Sequence, residues 1–386
     1  MKQNLEKTSI AKEIFHTLEK KHIDLYHSIS KRDFEVELKK FLQVADSLDD
    51  IHFLAGLMRL FALFKDAHTE IVPMFNNVKY INNKLNVDIQ YLKNHYYILD
   101  RERKYCEEIT HINGYPIEKV IERLKGLICY EVEEYLHYCL RYILINYSYL
   151  DMIDMGSALP HQIEYTMADG TTIVAKDRFK FQQEDYYNYS YISDDILYID
   201  YNVCYNKDDY SLADMIDDIE RDRDTLPKAC IIDVRDNTGG SDSVIYPLIE
   251  WLEDNNIKSY VLMNEGTFSS GSTAITLLKH YLNATTIGMP AGQSNIHYGE
   301  SKEVDTAGIE YTYATKYFNW TNIKTKNKAR ETPLPFKQYD YIGAIRPDIM
   351  VDREPNDLRN GIDTQLEFAL NYAKNEIMNK QSGLSQ

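Results

Sequence analysis

Ile231-Ile232-Asp233-Val234-Arg235-Asp236-Asn237-Thr238-Gly239-Gly240-Ser241 decides how the chain is read. Its apolar start, preceded by Cys230, is what a strand covered on both faces looks like, and the glycine pair ends it ahead of a helix. Working outward, strands are expected at 196–201, 229–234, 260–263 and 285–287, in alternation with helices near 212–223, 244–254 and 270–282. Such alternation specifies a mixed α/β core, a sheet with crossover helices. Ligands of such sheets gather beyond the carboxyl ends of the strands, and both short Gly/Ser-rich loops of this chain fall there.

The Gly239-Gly240 pair lets backbone approach a ligand closely and can turn its N–H groups into an anion-binding nest; the plain alternative is a tight turn capped by Ser241. The second loop is Asn264-Glu265-Gly266-Thr267-Phe268-Ser269-Ser270-Gly271-Ser272. It has the glycine spacing of a phosphate loop, but Ser272 stands where the lysine of GxxxxGK[ST] is required, which argues against a nucleotide. Its serines can act as an N-cap or as a nucleophile at the positive end of a helix, where an oxyanion is stabilised. Eleven histidines are available as a base, and spacing alone ranks none of them.

Around this core, Ile10, Ile14 and Leu18, then Phe34, Leu38, Phe41 and Leu42, recur at helical spacing, so residues 1–70 read as a helical amino-terminal domain. Residues 71–190 alternate with period two and read as a β-rich middle unit. It contains an Asn113-Gly114 turn before a helix with Pro116 near its first position, and a hairpin over 162–180 around Ala168-Asp169-Gly170. Residues 191–386 form the α/β core. Across the 386 residues, 44% hydrophobic and 27% charged side chains exclude disordered and collagen-like classes. With 43 Lys+Arg against 60 Asp+Glu, a net charge of −17 argues against nucleic acid and would steer cationic peptides inward at low salt. The longest apolar run, 53–64, is broken by Arg59 and is shorter than the roughly 20 residues that span a bilayer. The first residues lack the apolar core of a secretory signal, so a cytoplasmic protein is expected. Five scattered cysteines without a CxxC pair signal neither a disulfide framework nor a zinc knuckle.

Three segments, IIDVRDNTGG, VLMNEGTFSSGS and NATTIGMPAG, resemble the protease core of the tail-specific, or carboxy-terminal processing, serine proteases, a group that includes the tricorn core and the interphotoreceptor retinoid-binding modules. The resemblance implies a crossover β/α core of the ClpP/crotonase type. In that family a strand ending D-x-R-x-N-x-G-G precedes T/S-x-S-x-x-E, whose second serine is the nucleophile, and then G-x-x-T/P-x-G. Carried over, the nucleophile is Ser269, with Thr267 two residues before it and Gly288 at the family's interval beyond it. The implied oxyanion donors are the N–H of Ser270 and that of Gly239 or Gly240. Ser272 occupies the family's glutamate position.

Branches of the family differ in the base. The Ser–Lys branch carries its lysine shortly after the last glycine, and Gly292-Gln293-Ser294-Asn295-Ile296-His297 offers none. Phe64-Lys65-Asp66-Ala67-His68-Thr69 resembles the D-x-H-T/S segment of the tricorn-like branch, which implies His68 as general base; His297 is the reserve base or a substrate contact. For the triad acid, the resemblance of Ala344-Ile345-Arg346-Pro347-Asp348-Ile349 to G-V-x-P-D-I puts Tyr341 near the acid's place and leaves Asp340, Glu331 and Glu300 as candidates. Residues 108–124 resemble the I-x-x-I-N-G-x-P-I-x-x-V segment of PDZ-like domains, which bind free carboxyl ends by strand addition. The implied function is a serine peptidase that cuts unfolded or carboxy-terminal peptide segments through an acyl-enzyme, without metal or cofactor. A binding module that has kept the fold and lost the reaction, and an acyl transferase or esterase on the same serine, are the alternatives. A homo-oligomer is left open.

Overall fold

The structure, a computed structural model, describes residues 6–71, 84–100, 104–177, 185–320 and 343–381. They divide into two compact units. One takes the described residues up to 177 together with 297–318, and the other takes the rest.

The second unit is built on a six-stranded sheet in the order Ile349–Met350, Thr285–Gly288, Lys258–Met263, Ala229–Asp233, Ile196–Tyr201, Tyr187–Ser193. All neighbours are parallel except the last pair. Alternation along each strand sorts the side chains. Leu197, Ile199, Cys230, Ile232, Val261 and Met263 join one core with the helices Leu212–Asp222, Tyr246–Asp254 and Ser270–Leu282. Ile196, Ala229, Ile231, Tyr260, Leu262 and Ile287 face Ala369, Leu370 and Ala373 of the helix Thr364–Gln381. Because both faces are covered, the strands read as unbroken apolar runs. The helix Leu212–Asp222 starts at a capping box, in which Ser211 and Asp214 satisfy each other's backbone N–H.

The first unit packs the helices Lys7–Lys21, Lys31–Leu42 and Asp50–Ala62 and an antiparallel sheet around a single hydrophobic core. The sheet runs Asp88–Leu92, His95–Asp100, Tyr105–Ile112, Ile163–Met167, Thr172–Ala175. Asn113 and Gly114 both have positive φ, 50° and 78°, as a two-residue hairpin turn requires. Tyr115 and Pro116 then pair back on Ile112 and His111, so Pro116 caps the helix Ile117–Lys125 from outside it. Two features differ from the expected partition. The first 70 residues share their core with the middle unit and do not form a core of their own. The hairpin of Ile296–Thr306 and Ile309–Asn319, expected within the α/β core, sends Tyr311 and Tyr313 into the first unit's core and pairs Tyr311 with Ile71. The cause is long-range apolar packing, which local patterning does not encode.

Candidate active site

In the second unit, the strand Lys258–Met263 leads through Asn264–Phe268 to the helix Ser270–Leu282. Thr267 holds this bend. Its hydroxyl donates to the Val234 carbonyl at 2.8 Å and accepts the Asn264 N–H at 3.2 Å. Its carbonyl accepts from the Gly292 N–H and the Ser272 hydroxyl, both at 2.9 Å. Ser272 therefore ties the first helical turn to the bend from a buried position. Ser269 follows with φ 51° and ψ −127°. A side chain at positive φ costs about 1–3 kcal/mol and persists only where the surroundings impose it. From Ser259 to Lys279, Ser269 is the one residue that is not buried.

The glycine loop is stitched to this bend by Asn237, which is fully buried. Its carboxamide donates to the Tyr201 carbonyl at 2.6 Å and accepts the Gly239 N–H at 2.9 Å, and its carbonyl accepts the Phe268 N–H at 2.9 Å. The Ser270 hydroxyl adds a 2.9 Å bond to the Gly240 carbonyl. Approach is so close that a Cβ on Gly239 would stand 2.7 Å from the Ser269 Cβ and 2.8 Å from the Ser270 nitrogen; on Gly240 it would stand 2.4 Å from the Cys204 oxygen. Both glycines also have positive φ, 110° and 140°. Only glycine fits either position. The two expected alternatives for an oxyanion donor separate here. The Gly239 N–H is spent on Asn237, whereas those of Gly240 and Ser270 meet no acceptor among the described residues. Below the loop, Arg235 grips Asp233 and reaches Asp363 at 2.7 and 2.9 Å and Gln365 at 3.0 Å. Burial would raise the Asp363 carboxyl, but the hydrogen bond and charge of Arg235 hold it below the usual carboxylate range.

His68 lies in the first unit, just after the helix Asp50–Ala62, and its environment is charged. Asp66, fully buried, accepts from the His68 backbone N–H at 2.8 Å and the Thr69 hydroxyl at 2.7 Å, and sits 2.8 Å from His22 Nε2. Burial alone would raise this carboxyl, yet the His22 bond, the charge His68 carries once protonated in acid and the Thr69 bond hold it below the usual range. The His68 ring is buried and donates to the Tyr298 carbonyl. Burial pushes its pKa down, against the opposing effects of the Asp66 charge and the Tyr298 bond, so the neutral ring is the form present at pH 7. His297 stacks on it at 6.0 Å between centroids and 18° between planes, and stacks in turn on Phe318 at 5.2 Å.

Of the acids suggested by sequence, Asp340 and Glu331 lie outside the described residues. Glu300 pairs with Lys316 at 3.5 Å on an exposed stretch of the hairpin. Among the described residues, Asp66 and Glu131 are the carboxylates that the structure brings to His68. Asn237, His22 and Glu131 were not singled out from sequence. For Asn237 the signal was present, since it is the N of D-x-R-x-N-x-G-G; for the other two there was none.

No family profile matches the sequence, and no curated protein is matched by it. Solved structures do match over nearly the whole chain. The structure of mature CPAF complexed with lactacystin is 11% identical, covers 97% of this chain and 98% of its own, and superposes with a TM-score of 0.60. The photosystem II D1 C-terminal processing protease is 12% identical, with coverage of 94% and 96% and a TM-score of 0.52. The chain has the fold of the carboxy-terminal processing proteases, the family its glycine and serine loops resemble.

Proposed function

We propose that the chain is a serine peptidase acting on unfolded or carboxy-terminal peptide segments. The observation that carries this reading is Ser269 itself: an accessible serine held at positive φ at the head of a buried helix, beside two unspent N–H donors. Ser269 Oγ attacks the scissile carbonyl carbon while His68 takes the hydroxyl proton. The tetrahedral oxyanion accepts from the Gly240 and Ser270 N–H groups, each worth about 10²–10³ in rate by comparison with other oxyanion holes. The C–N bond then breaks, with the proton returned from His68 to the amine, and water repeats the sequence to release the acyl group. Asp66 and the Tyr298 carbonyl position the base. The sheet of the first unit takes the part of peptide reader that its PDZ-like segment implies.

The test is mass spectrometry of unstructured peptides with free carboxyl ends, incubated with wild type, Ser269→Ala and His68→Ala proteins. Cleavage by wild type alone is expected, with losses approaching the ~10⁶-fold seen when a serine nucleophile is removed. Equal cleavage by Ser269→Ala would sink the reading; normal cleavage by His68→Ala would move the base to His297. Cleavage of small esters but not peptides by wild type would favour an esterase.

A further inference from the structure

The interior around His68 holds more donors than a serine mechanism needs. A ring nitrogen of His68 and carboxylate oxygens of Asp66 and Glu131 all lie within 4.8 Å of one another. Glu131 Oε1 is closed to solvent and has no hydrogen-bond partner among the described residues. We propose that Asp66, His68 and Glu131 form a binding site for a divalent transition-metal ion of the zinc type, and that the bound ion holds the peptidase off by taking the imidazole nitrogen that must accept the serine proton. The second half rests on the proposed role of His68; the first half does not.

The donor chemistry selects the ion. One imidazole and two carboxylates suit zinc and its first-row neighbours, whereas calcium and magnesium favour all-oxygen shells. Three protein ligands with a fourth position left for water is a common zinc arrangement, and closing on an ion with bonds of 2.0–2.2 Å asks the side chains to move inward by about 1 Å. The outer shell is already in place. A metal-bound histidine normally gives its other N–H to a carbonyl or carboxylate, and His68 gives one to the Tyr298 carbonyl. Ligating carboxylates are themselves hydrogen-bonded, and Asp66 is fixed by His22 at 2.8 Å, Thr69 at 2.7 Å and the His68 backbone N–H at 2.8 Å. Glu131 is steadied by the Ala67 N–H.

The experiment uses the full chain, stripped with a chelator that is then removed, and Zn²⁺ as the probe. Competition against a chromophoric chelator should show one zinc per chain, weakened at least tenfold in Glu131→Gln and in Asp66→Asn. X-ray absorption of the zinc-loaded wild type should show a nitrogen/oxygen shell near 2.0–2.2 Å without the sulfur at about 2.3 Å that the free cysteines would give. Zinc should stop peptide cleavage and the chelator should restore it. No binding, a sulfur shell, or affinity unchanged in both variants overturns the site; the spectrum of the wild type decides even if a variant fails to fold. Peptide cleavage that zinc leaves untouched overturns the switch and spares the proposed function. Zinc bound as described to a chain that never cleaves peptide upholds the site and removes the role given to His68.

Discussion

Ser269 and His68 sit in opposite kinds of environment. From Thr267 to Ser272 the serine loop is held by neutral groups, by backbone amides and carbonyls, the hydroxyls of Thr267, Ser270 and Ser272, and one buried carboxamide, while the ion pair of Glu265 with Arg353 lies ahead of that stretch. The histidine is held by charge: a buried carboxylate braced by a second histidine, with a further carboxylate in reach. The first design fixes geometry through close backbone approach. The second sets protonation through a field, and so can be tuned by pH or by an ion.

The largest effect expected from this contrast is at Gly239. In Gly239→Ala the new methyl meets the Ser269 Cβ and the Ser270 nitrogen, and the positive φ adds strain, so the second unit should lose about 3 kcal/mol in denaturant titration. Because the clash displaces the proposed nucleophile and one proposed oxyanion donor together, kcat/KM should fall by ~10²-fold or more at every pH. An active and stable Gly239→Ala enzyme would show that the close approach is not required.

A different signature belongs to Asp66→Asn. Here the shape is kept and the charge removed, leaving either Thr69 and His22 or the His68 backbone N–H without its acceptor, for a cost of about 1–3 kcal/mol. The informative readout is the acid limb of kcat/KM in chelator-treated enzyme. In wild type, burial holds the titration of His68, the proposed base, below the ordinary histidine range near 6.5. The Asp66 charge favours the protonated ring, so its removal should carry the limb to still lower pH. A limb that stays put or moves up would mean that Asp66 does not set the protonation of His68.

The same contrast explains what could be read from sequence. The parallel core was legible because buried strands and amphipathic helices leave local patterns: the helix expected near 212–223 is Leu212–Asp222, and the one near 244–254 is Tyr246–Asp254. The serine loop was legible because glycines and short spacings carry it, and Asn237 acts only two residues from Gly239. The surroundings of His68 were not legible. His22 is 44 residues from Asp66, Glu131 lies beyond an intervening sheet, and Tyr298 arrives on a hairpin encoded within the other unit's sequence. No periodicity links such positions, which is also why the donor set at 66, 68 and 131 resembles no metal motif. Asp340 and Glu331, suggested by resemblance, lie outside the described residues; among those described, the carboxylates beside His68 come from the first unit.

The smallest effect is expected at Ser272, where the family resemblance calls for glutamate. The side chain is 1% exposed and its hydroxyl makes one bond, to the Thr267 carbonyl. That carbonyl keeps its second partner, the Gly292 N–H, in Ser272→Ala, so no buried group is orphaned and the loss should be about 1 kcal/mol. Activity should stay within about tenfold of wild type, because the bend is still fixed by the Thr267 hydroxyl and by Asn237. Ser272→Glu should behave otherwise: a carboxylate introduced at a position this buried costs several kcal/mol and should raise its own pKa, giving a protein that melts earlier as pH rises. Thermal melts of both variants between pH 5 and 8 separate the two cases. If glutamate is accepted without cost, the neutral character of the stretch from Thr267 to Ser272 is incidental, and the contrast with His68 loses its basis.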